Sequence, residues 1–208
     1  GVQAVAVFTA ATDAFAEANL GTTVEASLRA YREVVRRARE AGLLVRGYVS
    51  VAWWCPYSGR ADPQRVRAVT LDLLDMGCAD VGVADTVGAA TPREVQELLA
   101  LLLRDIPPER VGVHFHDTRG TGVANVLASL EMGISTVDAS AGGLGGCPFA
   151  PGALGNVATE DVVYMLHGMG VHTGVDLEKL RSASRLLEAC LARRLPSRYL
   201  QAGPLPTP

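Results

Sequence analysis

The stretch Val111-Gly-Val-His-Phe-His-Asp-Thr118 sets two imidazoles, His114 and His116, at the end of an apolar run. Strand side chains repeat every second residue, so both rings leave the same face. Two imidazoles side by side at a strand end form half of a metal site; the other reading is a pair that only hydrogen-bonds in a polar crevice. Asn156, in Gly152-Ala-Leu-Gly-Asn156, offers an amide oxygen. Two imidazoles with oxygen donors suit an octahedral divalent cation, Mg²⁺ or Mn²⁺. Without the histidines, Asn156 reads as a turn residue or helix cap.

Cys147 follows Gly142-Gly-Leu-Gly-Gly146 and precedes Pro148. A thiol on a glycine-rich loop can be carried in as proton donor or base when the loop closes, or it is simply a small packed residue. Asp85 ends its strand as a lone carboxylate. It reads as a base, a substrate contact or an orienter of a metal ligand, with a turn or helix cap as the plain alternative. Glu160 reads first as an acid at a helix N-terminus. His167 and His172 flank glycines around a helix end and call for no functional account, and Trp53 and Trp54 shape a loop or line an interface.

The elements that must position these residues alternate. Ala4 to Phe8 reads as a buried strand. After a polar loop, Thr22-x-x-Glu25 reads as a capping box, and its helix carries Val24, Leu28, Tyr31, Val35 and Ala38 on one stripe until Gly42 stops it. Leu43 to Val51 reads as a second strand, followed by the loop Trp53–Gly59 and a helix capped by Asp62 with Pro63 at its first position. Asp80 to Ala84 is a third strand, and Thr91-Pro-Arg-Glu94 a capping box for a leucine-rich helix. The His-x-His strand, a helix from Gly122 to Met132 and a strand from Thr136 to Ser140 follow. Thr159-Glu-Asp161 opens another helix, and Asp176 caps the last, which ends near Arg194.

Five β-then-α units at spacings of roughly 25 to 40 residues imply a parallel sheet with covering helices. Two architectures fit: a doubly wound sheet, or an incomplete (β/α)8 TIM barrel of the α/β class with about five of eight units present, full barrels running to about 250 residues. The first unit lacks a phosphate-binding glycine loop, and that favours the barrel. On this reading residues 1–194 form a partial TIM-barrel catalytic domain, and 195–208 a disordered C-terminal tail, proline-rich from Pro204.

Composition bounds the rest. The 208 residues are 49% hydrophobic with formal net charge −3, giving no electrostatic case for nucleic acid or an anionic membrane. No apolar run approaches the roughly 20 residues of a membrane span. Four dispersed cysteines fit reduced thiols in a cytosol-like compartment. The chain opens at Gly1 directly into a strand, which leads to the expectation that it is cut from something longer.

Several motifs together resemble the 3-hydroxy-3-methylglutaryl-CoA lyase family of DRE-TIM metallolyases. They are Val45-Arg-Gly-Tyr-Val-Ser50, Cys55-Pro-Tyr57, Gly77-Cys78, Asp85-Thr-Val-Gly88, His114-x-His116-Asp-Thr118, Gly143-Leu-Gly-Gly-Cys-Pro148, Gly155-Asn156 and Ala158-Thr-Glu-Asp161. The likeness runs from about Val5 to Leu191, and the Gly-Leu-Gly-Gly-Cys-Pro loop is its specific element. The resemblance implies a carbon–carbon lyase that takes an acyl-CoA substrate, a site with His114, His116 and Asn156 as metal ligands, Cys147 as the catalytic loop cysteine and Asp85 as a catalytic strand-end aspartate. It also implies a homodimer for the complete enzyme, in the cytoplasm or, for a eukaryotic source, the mitochondrial matrix.

Thr12-Asp13 stands where the family tends to have Ser-Glu. The family's first strand carries an Arg-Asp pair, whose Asp completes the metal site, and no counterpart precedes Gly1. This 208-residue chain is therefore expected to be inactive alone. A Claisen-type acyl-CoA synthase or 4-hydroxy-2-oxoacid aldolase of the same superfamily shares the His pair, and a non-catalytic metal-binding fragment is a further alternative.

Overall fold

The computed structural model describes residues 1–150, 152 and 154–203. Its elements are β1 (Ala4–Ala10), α1 (Asp13–Leu20), α2 (Val24–Glu40), β2 (Leu44–Ser50), β3 (Trp54–Cys55), β4 (Gly59–Arg60), α3 (Pro63–Asp75), β5 (Asp80–Asp85), α4 (Pro92–Leu102), β6 (Val111–Phe115), α5 (Gly122–Glu131), β7 (Thr136–Asp138), α6 (Thr159–Gly168), α7 (Leu177–Leu191) and α8 (Arg198–Ala202). The main sheet has five strands, all parallel, in the order β1-β2-β5-β6-β7. Each strand lies beside its predecessor, without the reversal of order that defines a doubly wound sheet. The winding is that of a barrel wall, and the expected partial barrel is what the chain forms. β3 and β4 make a small hairpin within the β2–α3 connection.

The two faces of the sheet differ in kind. One carries Val7, Val45, Val49, Val81, Val83, Val111, Val113 and Phe115, all buried beneath the helices. Val66, Val69 and Leu73 of α3 and Val95, Leu98, Leu99 and Leu102 of α4 are buried in the same core. The other face, the barrel interior, carries exposed Phe8 and Leu44 and half-exposed Arg46, Tyr48, Asp80, His114 and Asp138. This period of two places His114 and Asp85 on opposite faces: His114 pairs in register with Ala84, and Asp85 with Phe115.

Caps read from sequence are found at α3, where Asp62 accepts from Gln64 N at 2.9 Å with proline behind it, and at α4, where Thr91 and Glu94 form a reciprocal box. Asp176 likewise caps α7. Three expectations need correction. Thr23, not Thr22, caps α2, because Val24 is fully buried and its N–H is taken by Asp13 Oδ1 at 2.8 Å. The polar loop before it holds α1, capped by Thr12 and anchored by buried Phe15 and Ala16.

The chain also does not become a tail at residue 195. Leu195 and Leu200 are buried, and α8 is capped at its start by Ser197. Asp161 Oδ1 accepts from Tyr199 N and Ser197 Oγ at 2.8 Å, and its Oδ2 from Arg198 N at 3.0 Å. Pro204–Pro208 lie outside the described residues.

Candidate metal centre

His114 and His116 leave the interior face at the C-terminal end of β6, with ring centroids 5.5 Å apart. Each ring is fixed through Nδ1. His116 Nδ1 lies 2.8 Å from the carbonyl of Leu154, and that acceptor requires the ring nitrogen to be the donor. His114 Nδ1 lies 3.3 Å from Asp138 Oδ2. Both contacts place the proton on Nδ1 and leave the Nε2 lone pair for a ligand, the usual arrangement of metal-binding histidines. Burial pushes the His116 pKa below the ordinary imidazole value; the Leu154 carbonyl opposes the shift and His114 adds to it. Burial thus disfavours the charged ring.

Asn156 arrives on a segment that extends the sheet edge. His116 and Asn156 form an antiparallel bridge and Ser140 and Ala158 a parallel one, with Val157 N on the Phe115 carbonyl at 2.9 Å and Asp117 N on that of Gly155 at 3.1 Å. The Asn156 amide nitrogen donates to the Leu144 carbonyl at 2.8 Å, which settles the orientation of the side chain. Its Oδ1 is shielded from solvent and has no hydrogen-bond partner among the described residues. A buried carbonyl oxygen without a donor costs about 1–3 kcal/mol. A cation would remove that cost. Among the described residues no group of three His, Cys, Asp or Glu converges in metal-binding geometry.

The glycine-rich loop is tied to this segment. Glu160, fully buried at the start of α6, accepts the Gly142 N–H with both carboxylate oxygens, at 2.8 and 3.0 Å, and also the Ser184 hydroxyl from α7. Asn156 N donates to the Gly145 carbonyl at 3.1 Å. Gly155 has no room for a side chain, since a Cβ there would strike the Gly143 carbonyl. Cys147 sits half-buried farther along, and the Tyr57 hydroxyl holds its neighbour Phe149 through the backbone carbonyl at 2.7 Å. Among the described residues the Cys147 thiol has no hydrogen bond to either imidazole.

Asp85 is not brought to the histidines. Its side chain leaves the helix-covered face, fully buried, and its oxygens accept from Ala89 N at 3.1 Å and Ala90 N at 2.9 Å. Burial raises its pKa above the ordinary carboxylate value against the pull of these amides. It holds the β5–α4 loop. Trp53 is also a loop-shaping residue, donating to the Glu94 carbonyl at 3.1 Å and packing on Phe115.

Asp138 was not singled out from the sequence, yet it joins the site directly. It accepts from Arg46 Nη1 at 2.7 Å as well as facing His114. Burial disfavours its ionisation, but His114, Arg46 and Tyr48 outweigh burial and hold its pKa below the usual range. Nothing local marks it, because Arg46 and His114 reach it only through strand register.

A sequentially wound parallel sheet with polar side chains gathered at strand C-terminal ends defines a β/α-barrel protein. The HMGL-like family matches residues 1–187, and the chain belongs to that family.

Among its relatives, mitochondrial hydroxymethylglutaryl-CoA lyase of Bos taurus is 45% identical over 202 residues, 97% of this chain and 62% of the bovine protein. The crystal structure of the Bacillus subtilis HMG-CoA lyase superposes with a TM-score of 0.94 at 42% identity, over 97% of this chain and 68% of that one. An HMG-CoA lyase from Acinetobacter baumannii, in complex with coenzyme A and 3-methylmalate, gives a TM-score of 0.93 at 36% identity, over 99% of this chain and 68% of that one. The chain thus spans less than two thirds of the length of its bovine relative. Curated relatives include mitochondrial and cytoplasmic forms, and no described helix is long and apolar enough to cross a membrane.

Proposed function

We propose that this chain carries the C-terminal-side half of the site of a divalent-metal-dependent lyase that cleaves 3-hydroxy-3-methylglutaryl-CoA to acetyl-CoA and acetoacetate. The buried Oδ1 of Asn156, without a hydrogen-bond partner among the described residues and on the segment bridged to His116, is the observation that carries the reading. His116, His114 and Asn156 hold the cation, Mg²⁺ or Mn²⁺, which when bound acidifies the substrate hydroxyl and orients a carboxylate oxygen.

The substrate hydroxyl loses its proton, and the bond between its carbon and the methylene beside the thioester breaks. The released methylene carbanion takes a proton, for which Cys147 on the glycine loop is the donor. The hydroxyl proton passes to water or to a base on the completing β/α units: His114, with Nε2 on the cation and Nδ1–H on Asp138, keeps no free lone pair, and Asp85 holds its own loop. The coenzyme A bound by the Acinetobacter baumannii relative supports an acyl-CoA substrate. The completed enzyme works as a homodimer.

The open interior face means that the remaining strands, with the family's Arg-Asp pair, must come from β/α units outside these 208 residues. The 208-residue chain alone is expected to release no acetyl-CoA. Joined to a segment bearing that pair, it is expected to produce acetyl-CoA and acetoacetate in equal amounts with Mn²⁺, and to stop on chelation. A completed barrel that binds Mn²⁺ but forms no acetoacetate would sink the lyase reading in favour of a synthase or aldolase.

A further inference from the structure

The barrel interior holds a polar chain that crosses four strands. Arg46 projects from β2 and lies flat over the sheet. Its Nε is 2.6 Å from Asp80 Oδ1 of β5, an ion pair outside hydrogen-bond alignment, and its Nη1 is 2.7 Å from Asp138 Oδ1 of β7. The other oxygen of Asp138 faces His114 Nδ1 of β6. Tyr48 stands beside the same carboxylate, and its ring packs under the guanidinium, whose carbon is 4.9 Å from the ring centroid.

The strands between are cleared for this path. Gly82 of β5 and Gly112 of β6 pair in register on the interior face. A Cβ at Gly82 would sit 2.7 Å from Tyr48 Cε1, and one at Gly112 would strike Arg46 Nη2. Both glycines have ordinary negative φ, so it is the close approach of Arg46 and Tyr48, not backbone conformation, that requires them.

We propose that Arg46 is a positioning residue for the metal centre: by clamping Asp138 from the far side of two strands, it fixes the ring orientation and tautomer of His114. The inference rests on the metal-site reading above. A carboxylate with one fixed oxygen can present the other in only one direction, and that direction selects Nδ1–H and leaves Nε2 bare. Arginine suits the task because its planar fork spans two carboxylates at once, which a lysine ammonium does not. Tyr48 is the second support on the same carboxylate.

The test uses the full 208-residue chain labelled with ¹⁵N-histidine, without metal and then with Mn²⁺. Two-bond ¹⁵N–¹H correlations report the His114 tautomer, and the Mn²⁺ electron paramagnetic resonance signal reports free and bound cation. The wild type is expected to show His114 as the Nδ1–H form. Arg46→Met and Asp138→Asn are expected to give a tautomer mixture and to weaken Mn²⁺ binding by about 10–100-fold, the range for losing a partner that orients a ligand. Tyr48→Phe keeps the packing and is expected to move both readouts less, in the same direction.

A folded Arg46→Met chain with the wild-type tautomer and Mn²⁺ affinity would overturn the inference and leave Arg46 as a strut of the sheet. If Arg46→Met does not fold, Tyr48→Phe decides by the same two readouts. If the wild type binds no Mn²⁺, the metal-site reading fails by itself, while the metal-free tautomer shift in the variants still decides whether Arg46 positions His114.

Discussion

Phe115 and His114 are neighbours in one strand and belong to different proteins in all but sequence. Phe115 enters a dry layer of valines and leucines under the helices, fully buried and packed at a tilt against Trp53. His114 enters a half-exposed layer of charges and rings in which every contact is directional. The covered face stores stability through area removed from water, where nearly any well-packed hydrophobe serves. The interior face stores geometry, where chemical identity is everything. A wall of an open barrel can therefore fold on one face and be chemically unfinished on the other.

Mutations on the two faces should separate these roles. Phe115→Ala is expected to cost about 3–5 kcal/mol in urea unfolding, the range for truncating a core aromatic. Glu160→Ala comes next, because it strips the Gly142 N–H and the Ser184 hydroxyl of their shared acceptor. A loss of about 1–3 kcal/mol is expected, together with faster proteolysis within residues 141–150. Unchanged cleavage there would show that the loop does not depend on Glu160.

His114→Ala is expected to change unfolding free energy by less than about 1 kcal/mol, since the ring is half-exposed and bridges no core contacts. The same change should weaken Mn²⁺ binding more than Asp138→Asn does, measured by calorimetric titration. Equal destabilisation by Phe115→Ala and His114→Ala would erase the distinction between the faces.

The smallest effect concerns a helix end behind the covered face. Glu94 is half of the α4 capping box; burial opposes its ionisation, but Thr91 and Arg60 prevail and its pKa is lowered from 4.5. A carboxyl whose folded pKa is depressed adds stability above its unfolded pKa and loses it as pH falls through the folded value. The difference in unfolding free energy between wild type and Glu94→Gln should thus be about 0.5–1 kcal/mol at pH 7 and shrink below pH 4.5. A difference that persists at low pH would assign the effect to packing.

The sequence made the covered face easy to read. Valine-rich runs, the proline behind Asp62 and the Thr91–Glu94 pair are local signals, and they placed the strands and most helices within a residue or two. α1 and α8 escaped because they are short and bury few side chains, so neither shows a helical stripe. The interior face was legible only in part. His114 and His116 announce themselves by spacing within one strand, and Asn156 by its place beside them.

Asp138 and Arg46 do not, because their partnership spans 92 positions and exists only once β2, β5, β6 and β7 are in register. The face that Asp85 takes is hidden for the same reason. A strand-end carboxylate looks like a site residue until its parity against His114 is known.

The anchoring of α8 bears on how the site comes into being during synthesis. The chain leaves the ribosome from its N-terminus, and the five-stranded sheet and the Asp138 partner of His114 are present once β7 has emerged, whereas His116 still waits for the Leu154 carbonyl. The glycine loop is not yet set. Gly142 takes the Ser197 N–H on its carbonyl, the space where its side chain would be is filled by Leu195, and Asp161 waits for the backbone of residues 198 and 199. The loop that carries Cys147 reaches its final setting only after the last helix is released. A nascent chain would hold His114 in place before the loop that is to serve it, and His116 only with the segment that follows that loop.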